Sequence, residues 1–369
     1  MNEKENLENI IFDGLDGAPK EKKPDVLMPI IAAVSVFLLL FSVILALTLA
    51  LVNSNPTPKL DPNKSDEQTE PAEVVEKIEE QRERPESLPN YVNAKESMTD
   101  YRPSDRSGYR NISGDEAILS KAALLEDLSL GTVSAGKNID MKIQIASMTK
   151  VMTLITACDL IKDFYGVITI NYEERLKGYQ ITFVDAKKTL TEKVYYIDAL
   201  YGLILYSGAD CAYAIAESLC GSEEAFVAKM NEKAAALGMN GTHFSSCVGK
   251  DDDGDNYSTM RDVATMFAYA LKNDLCYEIL TTDVWTCIGN YDCKSIHSLV
   301  YSKFRENNAE LTFGKIKALG GKSGNETMAG YCLVSFGETS DGHKYLCVTA
   351  GHPSSSYKDT IYIYKNYVK

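Results

Sequence analysis

The chain has 369 residues and a formal net charge of −14 with no basic stripe, which argues against nucleic acid as a partner. That length is enough for one large domain, or two small ones, plus extensions. Nine cysteines is an odd number, no Cys-x-x-Cys pair occurs, and the four histidines stand apart from any ligand spacing, so no zinc site is expected. Cys287 and Cys293 flank a turn-like stretch that would let them bridge, and Cys332 and Cys347 would face each other across neighbouring strands. The competing expectation is that most of the thiols are small buried hydrophobes kept reduced.

Residues 1–26 form a polar tail, predicted to be cytoplasmic. From Leu27 to Val52 the chain is apolar apart from Pro29, Ser35, Ser42 and Thr48. This run exceeds the roughly 20 residues that cross a bilayer as a helix. It is also longer than the apolar part of a cleaved signal peptide, about 7–15 residues. Residues 27–52 are therefore predicted to be an uncleaved transmembrane anchor. Lys20, Lys22 and Lys23 precede it closely, while Lys59 and Lys64 follow at a distance. That bias predicts a single-pass protein of the cell membrane with its bulk extracytoplasmic. Residues 53–106 carry seven prolines among many charges and few large apolar side chains, so they are expected to be a disordered extracytoplasmic linker.

The folded domain is expected over residues 107–369. Ala122–Glu126 and Gly131–Ser134 read as a strand pair joined by a turn. A long apolar pattern at helical spacing opens at Ser147, and helical patterns recur at Ile197–Tyr206, Cys211–Leu219, Glu223–Leu237 and Thr259–Leu271. Tyr331–Phe336 and Tyr345–Ala350 read as strands and Tyr357–Tyr367 as a closing helix. These elements imply an α+β architecture, with a sheet built from the two ends of the domain around a helical middle.

Ser147 and Lys150 stand at the head of the first long helix. At that spacing their side chains share a face, so the amine reaches the hydroxyl. The helix amino end offers unpaired N–H groups and a positive dipole end, both suited to a developing oxyanion. A free lysine titrates near ~10.4 and is a poor base at neutral pH; burial and a second cation lower that value. Lys322 is the candidate second cation. The same spacing recurs at Ser134/Lys137 and Ser355/Lys358, in turn-like surroundings that read as solvated loops. Lys322-Ser323-Gly324, read as a turn just before a strand, supplies a cation and a hydroxyl for a carboxylate, and a residue that lets backbone approach closely. Ser207 lies between an apolar run and a helix, where it would either cap the helix or relay a proton between Lys150 and a leaving group.

In this order the segments resemble the D-alanyl-D-alanine carboxypeptidases, the low-molecular-mass penicillin-binding proteins. Ile145–Thr153 resembles that family's nucleophile segment, and Ala199–Asp210 its second motif with the leading helix. Leu237–Phe244 and Asp255–Thr259 resemble the loop and helix start that follow, and Gly320–Gly324 with Ala329–Val334 resemble the third motif and its strand. The resemblance runs from about Ala117 to the end of the chain. It implies a β-lactamase/transpeptidase-like fold, with an antiparallel sheet flanked by helices and a mostly helical second lobe.

The implied activity is that of a serine-type carboxypeptidase that removes the terminal D-alanine from peptidoglycan stem peptides. Ser147 would be the acylated nucleophile, Lys150 its base and Ser207 a proton relay. Lys322 and Ser323 would bind the terminal carboxylate of D-Ala-D-Ala, beside Gly324, and the backbone N–H groups of Ser147 and Asn325 would form the oxyanion hole. β-Lactam antibiotics would be covalent inhibitors, and no metal or organic cofactor is implied. No extra β domain or terminal membrane helix is expected after the sheet, and the 27–52 anchor would replace that helix. The sequence departs from the family pattern in three places. Ala209 stands where an asparagine is usual, Ser323 where threonine is commoner, and Asn325-Glu326 where an aromatic or other residue is more usual.

Two rivals remain. A serine β-lactamase shares the same motifs, but one large class needs a glutamate well after the middle motif. No glutamate occurs between Glu232 and Glu278. A non-catalytic wall-binding or regulatory protein on the same scaffold would accommodate Ala209, but Ser147, Lys150, Ser207 and Lys322 are all retained.

Overall fold

The computed structural model describes residues 108–249 and 254–368. The predicted tail 1–26, anchor 27–52 and linker 53–106 lie outside the described residues. Among the described residues, no helix is long and apolar enough to cross a membrane.

The described chain opens with β1 (Arg110–Asn111), β2 (Ala122–Asp127), β3 (Thr132–Lys137) and the short β4 (Ile143–Gln144). A 3-10 turn at Ala146–Thr149 leads into α1 (Lys150–Leu160), then into a hairpin of β5 (Val167–Asn171) and β6 (Thr191–Tyr195). Helices α2 (Tyr196–Leu205), α3 (Ala209–Cys220) and α4 (Glu223–Ala236) follow, then β7 (Tyr257–Ser258), α5 (Met260–Ala270) and α6 (Asp274–Thr281). A second hairpin, β8 (Val284–Thr286) and β9 (Ser295–His297), precedes α7 (Leu299–Asn307). The chain closes with β10 (Thr312–Phe313), β11 (Ile316–Glu326), β12 (Gly330–Glu338), β13 (Lys344–His352) and α8 (Ser356–Tyr367). Side-chain caps fix several helix starts: Ser222, Thr259, Asn273 and Ser298 each accept a backbone N–H from the first turn of α4, α5, α6 and α7.

The main sheet runs β1-β3-β2-β13-β12-β11-β10. Strands from the two ends of the domain meet where β2 pairs with β13, Leu124 opposite Val348. The antiparallel expectation holds with one correction, because β1 lies parallel to β3 on the outer edge. The physical reason is that β2 runs opposite to both, which leaves β1 and β3 pointing the same way.

The sheet separates two cores. Alternation along β12 sends Cys332, Val334 and Phe336 to the helical lobe, and Leu333 to the face covered by α7 and α8. On that second face Phe304 of α7 packs edge-on against Tyr357 of α8, with ring centroids 5.0 Å apart. In the lobe, α1 is buried at every residue from Lys150 to Cys158, so it has no solvent face in its first turns. The expected sheet from both ends with a helical middle is what the chain forms.

Some expectations need correction. Ser134 and Lys137 belong to β3, where Lys137 donates to the Ile118 carbonyl, and Ser355 and Lys358 lie at the N-cap position and in the first turn of α8; neither pair is a loop. All nine cysteines are free thiols. Cys347 sits opposite Ser335 in the ladder and faces the second core, whereas Cys332 faces the first, so the sheet itself separates that pair. Cys158 and Cys276, which the spacing did not single out, approach to 3.7 Å between sulfurs in the first core.

Candidate active site

Ser147 does not begin the α-helix; it sits in the 3-10 turn at Ala146–Thr149 that leads into α1. Ala146 just before it adopts φ 47°, a left-handed conformation that an alanine holds only when its surroundings force it. Those surroundings are visible. Gly249 passes so close that a Cβ there would lie 2.0 Å from the Ala146 carbonyl oxygen. From the side, the buried Asn256 donates its Nδ2 to Thr149 Oγ1 at 2.8 Å. The turn is pinned between these contacts and the buried Met148, which leaves Ser147 half-exposed in a cleft.

Lys150 begins α1 and is only 1% exposed. Its Nζ lies 3.0 Å from Ser147 Oγ and 3.0 Å from the carbonyl of Val248. Neither partner is an anion, so burial dominates and lowers the amine to about 8, against the raising influence of Cys247 and Glu326. An amine so lowered is neutral far more often near neutral pH than a free lysine, and its neutral form, in contact with a serine hydroxyl, is a base positioned to take its proton.

The Lys322-Ser323-Gly324 segment is not a turn ahead of a strand; it lies inside β11. Lys322 shares the first-core face with its ladder partner Val334 and reaches the helical lobe, donating to Ser207 Oγ at 2.9 Å and to the Ser323 carbonyl at 2.7 Å. Burial, with Lys150 as a like-charged neighbour, holds its ammonium well below the ordinary lysine range. Ser207 itself has φ 64°, a second strained non-glycine residue at the site. Gly324 is required by proximity, since a Cβ there would come within 2.9 Å of the Ile145 carbonyl and 3.0 Å of the Ser147 nitrogen.

Behind Ser207, Asp210 fixes the wall of the cleft. Its carboxylate accepts N–H bonds from Thr182 at 2.9 Å and from Phe183 at 2.8 Å, while burial raises its pKa. The Ala209 N–H completes the clamp by donating to the Gln180 carbonyl at 2.8 Å. A cavity of about 580 Å³ opens above these groups, lined by Ser147, Lys150, Ser207, Ser323, Gly324 and Asn325. Lys322 is not among its lining residues; its ammonium stands behind Ser207.

Residues 110–352 match the D-alanyl-D-alanine carboxypeptidase family. This chain is a member of that family. D-alanyl-D-alanine carboxypeptidase DacF of Bacillus subtilis (strain 168) is 35% identical over 167 residues, 44% of this chain and 40% of that protein. A D-alanyl-D-alanine carboxypeptidase of Streptomyces sp. (strain K15) is 32% identical over 213 residues, 55% of this chain and 71% of its own length. The crystal structure of the Streptomyces K15 DD-transpeptidase shares the fold, with a TM-score of 0.58 at 24% identity, covering 67% of this chain and 95% of that one. The chain thus spans less than half of the Bacillus relative.

Several residues of the site carried no sequence signal. The Val248 carbonyl that holds Lys150 is a backbone group, which residue type does not reveal. Tyr179 and Gln180 enter from the β5–β6 connection, and Ser354–Tyr357 from the start of α8. Only the glycines at 249 and 324 hinted, by lacking a side chain, that backbone passes closely there.

Proposed function

We propose that the chain is a serine-type D-Ala-D-Ala carboxypeptidase that removes the terminal D-alanine of peptidoglycan stem peptides. The observation that carries the reading is the 3.0 Å contact between Lys150 Nζ and Ser147 Oγ, with the amine buried and held at about 8. Lys150 takes the hydroxyl proton as Ser147 Oγ attacks the carbonyl of the penultimate D-alanine. The backbone N–H groups of Ser147 and Asn325 stabilise the oxyanion, and the Gly324 approach to Ser147 nitrogen supports that pairing. The proton passes to the leaving amine, with Ser207 as relay, and free D-alanine departs. Water, deprotonated by Lys150, then hydrolyses the acyl ester.

The terminal carboxylate of the substrate binds Ser323 and the Ser207–Lys322 pair, where the arriving anion restores the charge that burial disfavours on Lys322. β-Lactams enter by the same acylation and act as covalent inhibitors. Residues 27–52 anchor the chain in the cell membrane with the folded domain outside, a reading supported by their apolar length and the lysines that precede them.

The test is D-alanine release from an acyl-L-Lys-D-Ala-D-Ala peptide, with Ser147→Ala as control. Release by the wild-type protein that vanishes in the control supports the reading. A folded wild-type protein that releases none overturns it.

A further inference from the structure

The edge of β11 that faces the cleft is almost bare. On one side β11 pairs with β12 from Lys317 to Glu326, but on the other β10 covers only Ile316 and Lys317. The cavity wraps over the open stretch, since Ser147 and Lys150 line it from one side of the sheet and Ser354–Tyr357 from the other. An extended peptide that acylates Ser147 therefore lies along Ser323–Asn325 and adds to the sheet as a strand does. In a trans amide, N–H and C=O point in opposite directions. When the amide before the reacting residue gives its N–H to the β11 edge, its carbonyl points across the cleft.

The wall on that side is the segment Gly178–Gln180. Ala209, next to it, is fully buried and its side chain brings no polar atom. Gln180 is exposed towards the cavity, and its side-chain amide makes no hydrogen bond among the described residues. Its backbone, by contrast, is held tightly: its carbonyl accepts the Ala209 N–H at 2.8 Å, and two and three residues on, the Thr182 and Phe183 N–H groups are fixed by Asp210. An unbonded amide on a fixed backbone, opposite an open strand edge, is suited to hold a peptide carbonyl.

We propose that the Gln180 side-chain amide donates a hydrogen bond to the carbonyl of the substrate amide that precedes the residue acylating Ser147. Gln180 would thus supply, from the β5–β6 connection, the donor that position 209 lacks. The inference rests on the carboxypeptidase reading.

The test compares wild-type, Gln180→Ala and Gln180→Glu full-length protein in detergent. Two penicillins of the same ring system serve as probes: benzylpenicillin, whose side chain carries the amide carbonyl, and 6-aminopenicillanic acid, which lacks it. Acylation by benzylpenicillin and D-alanine release from acyl-L-Lys-D-Ala-D-Ala are expected to fall about tenfold in Gln180→Ala, the scale of one hydrogen bond. Acylation by 6-aminopenicillanic acid should stay at the wild-type rate. Gln180→Glu keeps the size and loses the donor, so it should fall at least as far with benzylpenicillin. Equal losses for both penicillins would mean a structural role, and no loss for either would mean no contact; each overturns the inference while leaving the enzyme reading intact. A wild-type protein that neither penicillin acylates and that releases no D-alanine overturns the carboxypeptidase reading, and the inference with it.

Discussion

Lys322 donates to Ser207 Oγ at 2.9 Å, a bond between residues 115 positions apart in the chain. The lysine comes from β11, next to the β10 edge of the sheet, and the serine from the junction of α2 and α3, so the bond exists only when sheet and helical lobe are packed together. It also places two buried amines, Lys150 and Lys322, around one small site. Two ammonium ions there repel, and both lose hydration, so the empty site favours at least one neutral lysine. A substrate carboxylate bound beside Lys322 would change that balance and couple binding to the protonation of Lys322.

Removal of the Lys322 amine should therefore cost most when the substrate carries a carboxylate. Lys322→Ala is expected to lower kcat/KM for an acyl-L-Lys-D-Ala-D-Ala peptide by about 10–100-fold, the scale of a hydrogen bond to a charged group. Amidation of the terminal carboxylate should cost the wild-type protein a similar factor and the variant little more. Additive losses in this two-by-two comparison would show that Lys322 and the carboxylate do not meet.

Acylation should depend on pH through Lys150. The active form carries a neutral amine, and burial places its pKa at about 8, below the ordinary lysine value. The rate therefore rises with pH and levels off above about 8. The sign for stability is the same: the unfolded chain binds this proton more tightly, so folding gains as pH rises from about 8 towards the free value. The pH dependence of acylation by a penicillin measures this directly. A rate that is flat from pH 6 to 9, or that falls, would remove Lys150 as the base.

Much of this site was legible in the residues. The spacing of Ser147 and Lys150 ahead of an apolar run gave both the pair and its contact, and Ser207 and Lys322 do meet within the fold. What the sequence hid has physical causes. β11 carries three glycines between Ile316 and Glu326, which dilute the pattern of a strand although its ladder with β12 is nearly continuous. The helix α7 is mostly polar, with only a narrow buried face at Val300, Tyr301 and Phe304; its start is set by the Ser298 cap. Ser147 sits in a 3-10 turn because Gly249 and Asn256 press on its neighbours, and those contacts are remote in sequence.

The close approach of Gly324 to the nucleophile turn predicts an unusually damaging small substitution. In Gly324→Ala the new methyl would meet the Ile145 carbonyl at 2.9 Å and both the Ala146 Cβ and the Ser147 nitrogen at 3.0 Å. All three belong to the strained turn, so relief has to move Ser147 itself. Activity is expected to fall about 100-fold, as it does when a reacting group shifts by roughly an ångström, with the protein still folded by circular dichroism. Near wild-type acylation by a penicillin would show that the turn can yield.

A final prediction concerns stability away from the chemistry. Asp198 of α2 is fully buried, and its carboxylate accepts bonds from Trp285 Nε1 at 2.7 Å and from the Ile288 and Gly289 N–H groups at 3.1 Å each. The same indole stacks on Tyr201, one helical turn along α2, with ring centroids 3.8 Å apart. Asp198 thus holds the β8–β9 hairpin against the lobe. Asp198→Ala would leave three buried or partly buried donors without their acceptor, at up to about 1–3 kcal/mol each. A loss of at least about 3 kcal/mol in urea unfolding is expected, with D-alanine release retained at low temperature. Asp198→Asn keeps one acceptor oxygen but turns an NH2 group towards backbone donors, so it should fall between the two. Equal stability of all three proteins would show that the hairpin docks by its apolar contacts alone.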